Sequence, residues 1–334
     1  MSIKIGINGI GRIGKMILRY ALTNPELEVV HLNDKMSPEL VAHLLKYDSI
    51  HGIFQADIQF DTTSISVNGK RIPVTSLQTP ADIPWHHYPV DVVVESSGKF
   101  KTATLLSGHL HNGAGKVILS APADDNSLDK TIVMGVNHNK LVATDRLISN
   151  ASCTTNCVAM LLKVLHDSFG VQQAFMNTVH PMTNNQNIQD GYHTDFRRAR
   201  AAINNIIPTT SSAIAATKLV LPEMENIFDG FATRVPVVDC SFVEVVTQLS
   251  KSCTRQDINN VFRTHAETDL RNYLEYTEEP LVSTDITNNT HSVIFDALST
   301  KVLPGNMIQV IGWYDNECGY SARIIDLIQY ISDL

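Results

Sequence analysis

Six residues near the N-terminus constrain the fold of this chain more than any others. Gly9-Ile10-Gly11-Arg12-Ile13-Gly14 follows a short strand-like run, residues 4–8. It precedes Met16, Ile17, Tyr20 and Ala21, which recur at helical spacing. Three glycines in that setting let the backbone turn tightly and approach a pyrophosphate, which rests on the helix N-terminus. A second strand-like run, 29–32, ends at Asn33-Asp34, and Asp34 lies twenty residues past Gly14. A carboxylate at that distance takes ribose hydroxyls and repels a 2′-phosphate. The pattern predicts a dinucleotide site built from Gly9, Gly11, Arg12, Ile13, Gly14 and Asp34, with NAD favoured over NADP.

The same alternation continues. Ser37 caps a helix with Pro38 at its first position, running to about residue 47. Val67-Asn68-Gly69-Lys70 reads as a two-residue hairpin turn, a small antiparallel excursion. Residues 91–95 and 116–120 read as buried parallel strands, ending in Ser96-Ser97-Gly98 and Ala121-Pro122. Ligands of such sheets gather beyond the carboxyl ends of the strands. Ser96, Gly98 and Ser120 are therefore candidates for lining the cofactor cleft, although plain turn chemistry accounts for them equally well.

Past residue 150 the pattern changes. Alternating runs at 240–246, 291–298 and 307–313 read as strands, with helical stretches at 210–221 and 256–264. The fold expected is α/β: a Rossmann NAD-binding domain over 1–151 and an α+β catalytic domain with a largely antiparallel sheet over 152–318. The last helix, 319–334, carries Ile324, Ile325, Ile328 and Ile331 on one stripe and is expected to pack back on the first domain. No Gly-, Ser- or Pro-rich linker and no repeat marks the boundary, so it rests on the change of pattern alone.

A length of 334 residues suits two cores rather than one. A net charge of −8 argues against non-specific nucleic-acid binding. No apolar run approaches the roughly 18–20 residues needed to span a bilayer, and the N-terminus goes straight into a strand without a signal-peptide pattern. Five cysteines suit a reducing, cytoplasmic setting better than a disulfide framework. No His and Cys spacing resembles a metal site, and His86-His87 reads as a solvated loop pair.

Candidate chemistry centres on Ser152-Cys153-Thr154-Thr155-Asn156-Cys157. An apolar strand ends at Ile148, and Val158, Leu161, Leu162 and Leu165 then recur at helical spacing. Cys153 thus falls in the first turn of a helix, with Ser152 as cap. Unpaired N–H groups and the helix dipole stabilise a thiolate there. An ordinary packed cysteine beside a capping serine fits the same spacing. A cysteine nucleophile needs a base. Among 13 histidines, pattern alone does not select one, although His180 follows a strand-like run. Arg234 is a cation at a strand end, and Thr183, Ser211 and Ser212 are loop hydroxyls. Arginine's planar fork suits an anion, while a lone arginine more often forms a surface ion pair.

These residues, with Arg197-Arg198-Ala199-Arg200-Ala201-Ala202, Arg234-Val235-Pro236 and Trp313-Tyr314-Asp315-Asn316-Glu317, resemble the glyceraldehyde-3-phosphate dehydrogenase family nearly end to end. The resemblance implies an oxidoreductase of glycolysis or gluconeogenesis. It would oxidise glyceraldehyde 3-phosphate with NAD and inorganic phosphate through a cysteine thiohemiacetal and thioester. It selects Cys153 and His180 as catalytic, and places Asn316 on the nicotinamide carboxamide. Thr183 and Arg234 fall at the substrate-phosphate site; Ser152, Thr154, Ser211 and Ser212 at the inorganic-phosphate site; Arg198 in the loop bordering both. It also implies a homotetramer, with residues 183–204 crossing an interface near the cofactor.

Three departures from the family pattern bear on this. Ser212 stands where glycine is usual, so a left-handed backbone there would be strained. Gly191-Tyr192 replaces a common Leu-Pro, and Cys318 is either a small filler or an oxidation-sensitive thiol. Competing readings are an erythrose-4-phosphate dehydrogenase that hydrolyses the thioester, a semialdehyde dehydrogenase, and a non-catalytic paralogue acting as a binding protein.

Overall fold

The computed structural model describes residues 2–334. The chain forms two compact units. One comprises the residues up to Ile132, His138–Ala151 and Ser321–Leu334; the other comprises Val133–Asn137 and Ser152–Tyr320. Among the described residues, no helix is long and apolar enough to cross a membrane.

The first unit holds a nine-stranded sheet. Its order is Ile58–Phe60, Ser64–Val67, Lys70–Thr75, Leu27–Asn33, Ile3–Asn8, Val92–Glu95, Lys116–Leu119, Leu147–Ser149 and Lys130–Thr131. The five strands from Leu27–Asn33 to Leu147–Ser149 are parallel. They are short apolar runs because helices cover both faces of such a sheet. Ile3–Asn8 lies between Leu27–Asn33 and Val92–Glu95, so connections leave it towards opposite sides. That reversal opens a crevice beyond Asn8 and Glu95, the place where α/β sheets bind ligands. The hairpin turn forms at Asn68 and Gly69, with φ of 52° and 80°, the two positive values a tight I′ turn requires. Helix Pro38–Lys46 starts as expected, with Ser37 Oγ accepting from Leu40 N at 3.3 Å.

The second unit holds an eight-stranded sheet. Its order is Ile207–Thr209, Phe228–Val235, Val171–Pro181, Ser241–Leu249, Met307–Tyr314, Val293–Asp296 and Leu274–Thr277, with Lys301–Leu303 paired to Met307–Tyr314. Most pairs are antiparallel, but Val171–Pro181 runs parallel to Phe228–Val235, and Leu274–Thr277 parallel to Val293–Asp296. Helix Cys153–Phe169 packs its stripe of Val158, Leu161, Leu162 and Leu165 into a core shared with Val243, Val245, Phe262 and Phe295. Phe262 and Phe295 stack at 3.9 Å. Buried and part-exposed residues alternate along Ser241–Leu249, as expected for a sheet covered on one face. On the other face Phe175 and Phe231 are exposed.

Two helices differ in extent from the sequence reading. The stretch expected at 210–221 is the shorter Ala213–Val220. The stretch expected at 256–264 is the longer Arg255–Glu267, started by a capping box between Thr254 and Asp257. The final helix is Cys318–Ser332, and its residues from Ser321 onward group with the first unit.

Candidate active site

The glycine run forms the turn between strand Ile3–Asn8 and helix Arg12–Thr23. Each glycine has its own reason. A Cβ on Gly14 would lie 1.9 Å from the Gly9 carbonyl, and one on Gly9, at φ 93°, would lie 2.5 Å from Ser97 N. A Cβ on Gly11 would meet nothing within 4 Å. The chain is therefore tight on both sides of Gly11 and open at it, as a pyrophosphate on the helix N-terminus needs. Asp34 braces this loop: Oδ2 accepts from Ile10 N at 2.5 Å and Oδ1 from Met36 N at 2.9 Å. Each oxygen keeps acceptor capacity for ribose hydroxyls. A dinucleotide fits these residues.

Several supports escaped the sequence reading. Arg12 Nη1 and Lys15 Nζ lie 2.7 and 2.5 Å from Asp48 Oδ2. Burial pushes the Asp48 carboxyl up, but bonds from Lys15, the backbone of His51 and Ile50, and Arg12 outweigh it and hold it low. Arg12 is thus aimed by an acid 36 residues away, which no local pattern marks. Ile13 is half-buried at the start of the helix. Ser96 Oγ donates to the Gly9 carbonyl at 2.7 Å, so its hydroxyl fixes the loop. Buried Glu95 accepts from Asn8 Nδ2 at 2.6 Å and Ser97 N at 2.8 Å, and its carboxylate lies 3.0 Å from His109 Nε2. Gly98 adopts φ 74° with open space around it, and Ser120 N donates to the Glu95 carbonyl at 2.9 Å. His86 and His87 are exposed.

In the second unit Cys153 is the first residue of helix Cys153–Phe169, and Ser152 Oγ caps it by accepting from Thr155 N at 3.0 Å. Cys153 Sγ lies 3.6 Å from His180 Nε2. His180 is the residue before the last of the long strand Val171–Pro181, and its register partner in the adjacent parallel strand is Arg234. Arg234 Nη1 lies 2.5 Å from His180 Nδ1 and donates to the Pro181 carbonyl at 3.0 Å. Burial and then the Arg234 cation push His180 down, to about 3. The first-turn position was expected to favour a thiolate. Burial opposes this and pushes the Cys153 thiol up, against the pull of Arg234 and the bonds from Thr154.

Tyr314 was also missed. Its hydroxyl bonds Thr154 Oγ1 at 2.8 Å and Thr178 Oγ1 at 3.0 Å, and its ring stands edge-on to His180 at 6.3 Å. The Thr154 hydroxyl is thereby turned into the core, and that of Ser152 is engaged by Thr155. Thr183 is exposed, with its N–H donating to Gln186 Oε1 at 3.0 Å. Arg198 Nε donates to Thr209 Oγ1 at 2.8 Å and Nη2 to the Thr210 carbonyl at 3.0 Å. It thus ties its own loop to the residues leading into Ser211 and Ser212. Ser212 has φ −66°, so serine in place of the usual glycine is unstrained. Asn316 Oδ1 accepts from Ser241 Oγ at 2.9 Å, which aims its amide. Cys157 is packed, with Sγ 3.5 Å from the Gly312 carbonyl, and Cys318 is buried 3.7 Å from Asn288 Oδ1. All five cysteines are free.

A dinucleotide cradle in one unit and a thiol–imidazole pair in the other define an NAD-dependent dehydrogenase that works through a cysteine. Residues 3–103 match the NAD binding domain of glyceraldehyde 3-phosphate dehydrogenase, and residues 152–316 match its C-terminal domain. The chain is 51% identical over 333 residues to glyceraldehyde-3-phosphate dehydrogenase of Priestia megaterium, covering 99% of each chain. It is 49% identical to glyceraldehyde-3-phosphate dehydrogenase 1 of Bacillus subtilis, again over 99% of each. To the enzyme of Mycobacterium leprae it is 46% identical over 98% of each. The chain belongs to the glyceraldehyde-3-phosphate dehydrogenase family.

Proposed function

We propose that this chain catalyses the NAD-dependent, phosphorylating oxidation of glyceraldehyde 3-phosphate to 1,3-bisphosphoglycerate. The observation that carries the reading is the thiol–imidazole pair, 3.6 Å apart at the end of a strand, with the half-buried Arg234 as its neighbour. Cys153 Sγ adds to the aldehyde carbon, and its proton passes to the imidazole. His180 Nε2 and the Cys153 backbone N–H donate to the developing oxyanion. His180 then removes the hydroxyl proton of the thiohemiacetal as hydride departs. NAD, when bound, supplies the hydride acceptor. The resulting thioester on Cys153 is attacked by inorganic phosphate, and the sulfur leaves as the acyl phosphate forms. Sulfur suits this role because a thioester conserves the oxidation energy for transfer to phosphate.

The remaining roles follow in the same reading. Arg234 and Thr183 take the substrate phosphate. Ser211, Ser212 and the first turn of helix Cys153–Phe169 take inorganic phosphate, with Arg198 shaping the loop beside them. Asn316 takes the nicotinamide carboxamide, and the glycine run, Asp34, Gly98 and Ser120 take the rest of the dinucleotide. The protein works as a homotetramer in the cytoplasm. Supporting this, Ile188, Tyr192 and Phe196 are 69%, 93% and 89% exposed, an apolar set that another subunit would cover.

The test is an assay with glyceraldehyde 3-phosphate, NAD and graded inorganic phosphate. Saturable phosphate dependence is expected. A rate indifferent to phosphate would mean hydrolysis of the thioester, and no turnover of any aldehyde phosphate would end the proposal. Sedimentation equilibrium tests the tetramer.

A further inference from the structure

A fully buried carboxylate stands beneath the nucleotide loop. Glu95 ends strand Val92–Glu95, beside Asn8, its register partner in the parallel strand Ile3–Asn8. Its Oε2 accepts from Asn8 Nδ2 at 2.6 Å and lies 3.0 Å from His109 Nε2. Its Oε1 accepts from Ser97 N at 2.8 Å and from the Ser97 hydroxyl. Asn8 and His109 are themselves buried, so each of these groups must find its partner inside the protein.

Residues farther out leave these donors no choice. Leu77 N donates to Asn33 Oδ1 at 2.9 Å, and Asn33 Nδ2 donates to the Leu77 carbonyl at 3.1 Å. A backbone N–H only donates and a carbonyl only accepts, so the Asn33 amide has one orientation. Its Nδ2 also donates to Asn8 Oδ1 at 2.8 Å, which leaves Asn8 Nδ2 for Glu95. On the other side Trp85 Nε1 donates to His109 Nδ1 at 2.9 Å. An indole N–H only donates, so Nδ1 carries no proton and Nε2–H points at Glu95. Asn8, His109 and the Ser97 backbone can each only donate here. Glu95 is an acceptor on both sides, and the fold has fixed the direction of every bond but that from the Ser97 hydroxyl.

We propose that Glu95 is a positioning residue for the dinucleotide, holding the turn at residues 96–98 in place before the cofactor arrives. That turn is tied to the glycine run on one side: Ser96 Oγ donates to the Gly9 carbonyl at 2.7 Å, and a Cβ on Gly9 would lie 2.5 Å from Ser97 N. Glu95 Oε1 closes the other side. A cleft ordered by the fold spares the cofactor the entropy of ordering it. The isosteric change Glu95→Gln separates this role from general support. With its NH2 toward Asn8 and His109, the amide faces two donors; toward Ser97 it faces one donor and a hydroxyl free to turn. The amide therefore keeps its buried partners and gives up Ser97 N, so the turn loosens while the network beneath it holds. This role deepens the proposed function and rests on it only for the turn lining the cofactor cleft.

The test compares the full chain with its Glu95→Gln variant. Calorimetric titration should show the Kd for NAD raised about tenfold, as for one lost hydrogen bond to a carboxylate. In the aldehyde assay the KM for NAD should rise with it while kcat at saturating NAD holds, the mark of lost uniform binding. An equal Kd in variant and parent would overturn the inference, even with a lower urea midpoint, because Glu95 would then be merely structural. Should the variant not fold, amide hydrogen exchange on the NAD-free parent decides. Ser97 N–H, bonded to Glu95, should exchange slowly before any NAD is added. Exchange that is fast in the free protein and slowed only by NAD would show that the cofactor orders the turn, and would overturn the inference. A parent that binds NAD with the expected loss in Glu95→Gln, yet turns over no aldehyde, would end the proposed function and leave the role of Glu95 standing.

Discussion

The hydroxyl of Tyr314 lies 2.8 Å from Thr154 Oγ1, tying the last residue of a central strand to the first turn of the cysteine helix. The same hydroxyl holds Thr178, two residues before His180 on its strand. One buried phenol therefore braces both elements that carry Cys153 and His180. Burial pushes the Tyr314 hydroxyl far up, so it stays protonated. Tyr314→Phe takes the phenol away from the buried Thr154 hydroxyl, while Thr178 keeps its bond to the Phe242 carbonyl, and should destabilise the protein by about 1–3 kcal/mol. The fall in urea midpoint should come with a lower kcat, because the Cys153–His180 spacing loosens. An unchanged midpoint would show that water or a rotated threonine replaces the phenol.

Cys153→Ser should abolish dehydrogenase turnover while NAD still binds, as read by calorimetric titration. Substantial residual oxidation would refute covalent catalysis. His180→Asn removes the proposed base and should lower kcat by roughly 10²–10⁴-fold.

The three glycines of the nucleotide loop should not behave alike. Gly14→Ala sets a Cβ against a carbonyl and should cost about 1–3 kcal/mol through backbone displacement. Gly11 has φ −69° and open space, so Gly11→Ala should leave stability within about 0.5 kcal/mol. It should still weaken NAD binding, because the new methyl occupies the approach to the helix N-terminus. Equal NAD affinity in Gly11→Ala and the parent would show that the dinucleotide does not pass over this glycine.

Acid should weaken the fold through buried histidines. His31 is fully buried, its ring 4.3 Å from that of Tyr88, and burial pushes it down to about 4 from an ordinary 6.5. The unfolded chain therefore binds this proton first. Stability from His31 is complete above pH 6.5 and is lost as pH falls from 6.5 toward 4, in total about 3 kcal/mol. His31→Gln should flatten that part of the profile of urea midpoint against pH. A parallel displacement of the whole curve would show that His31 is protonated no less readily in the folded chain.

The elements that local chemistry dictates were legible in the sequence. Asn68-Gly69 makes a hairpin because both residues accept positive φ. Ser152 caps its helix because a hydroxyl there meets an unpaired N–H. The glycine run and Asp34 announce a nucleotide cradle because spacing along one βαβ unit fixes them in space. The role of His180 was different: only the family resemblance selected it among 13 histidines.

What the sequence by itself determined is the set of local elements, the nucleotide loop and the position of Cys153 at a helix start. Those follow from interactions among residues close along the chain, whose geometry the covalent backbone restricts. The tertiary structure alone decided that Arg234 stands in register with His180, that Tyr314 reaches Thr154, and that Asp48 aims Arg12. Those partners lie 54, 160 and 36 residues apart, and nothing local encodes which distant strand or loop will be the neighbour. Burial, which pushes the Cys153 thiol up against the helix dipole and the His180 imidazole down, exists only once the sheet and core have closed around them.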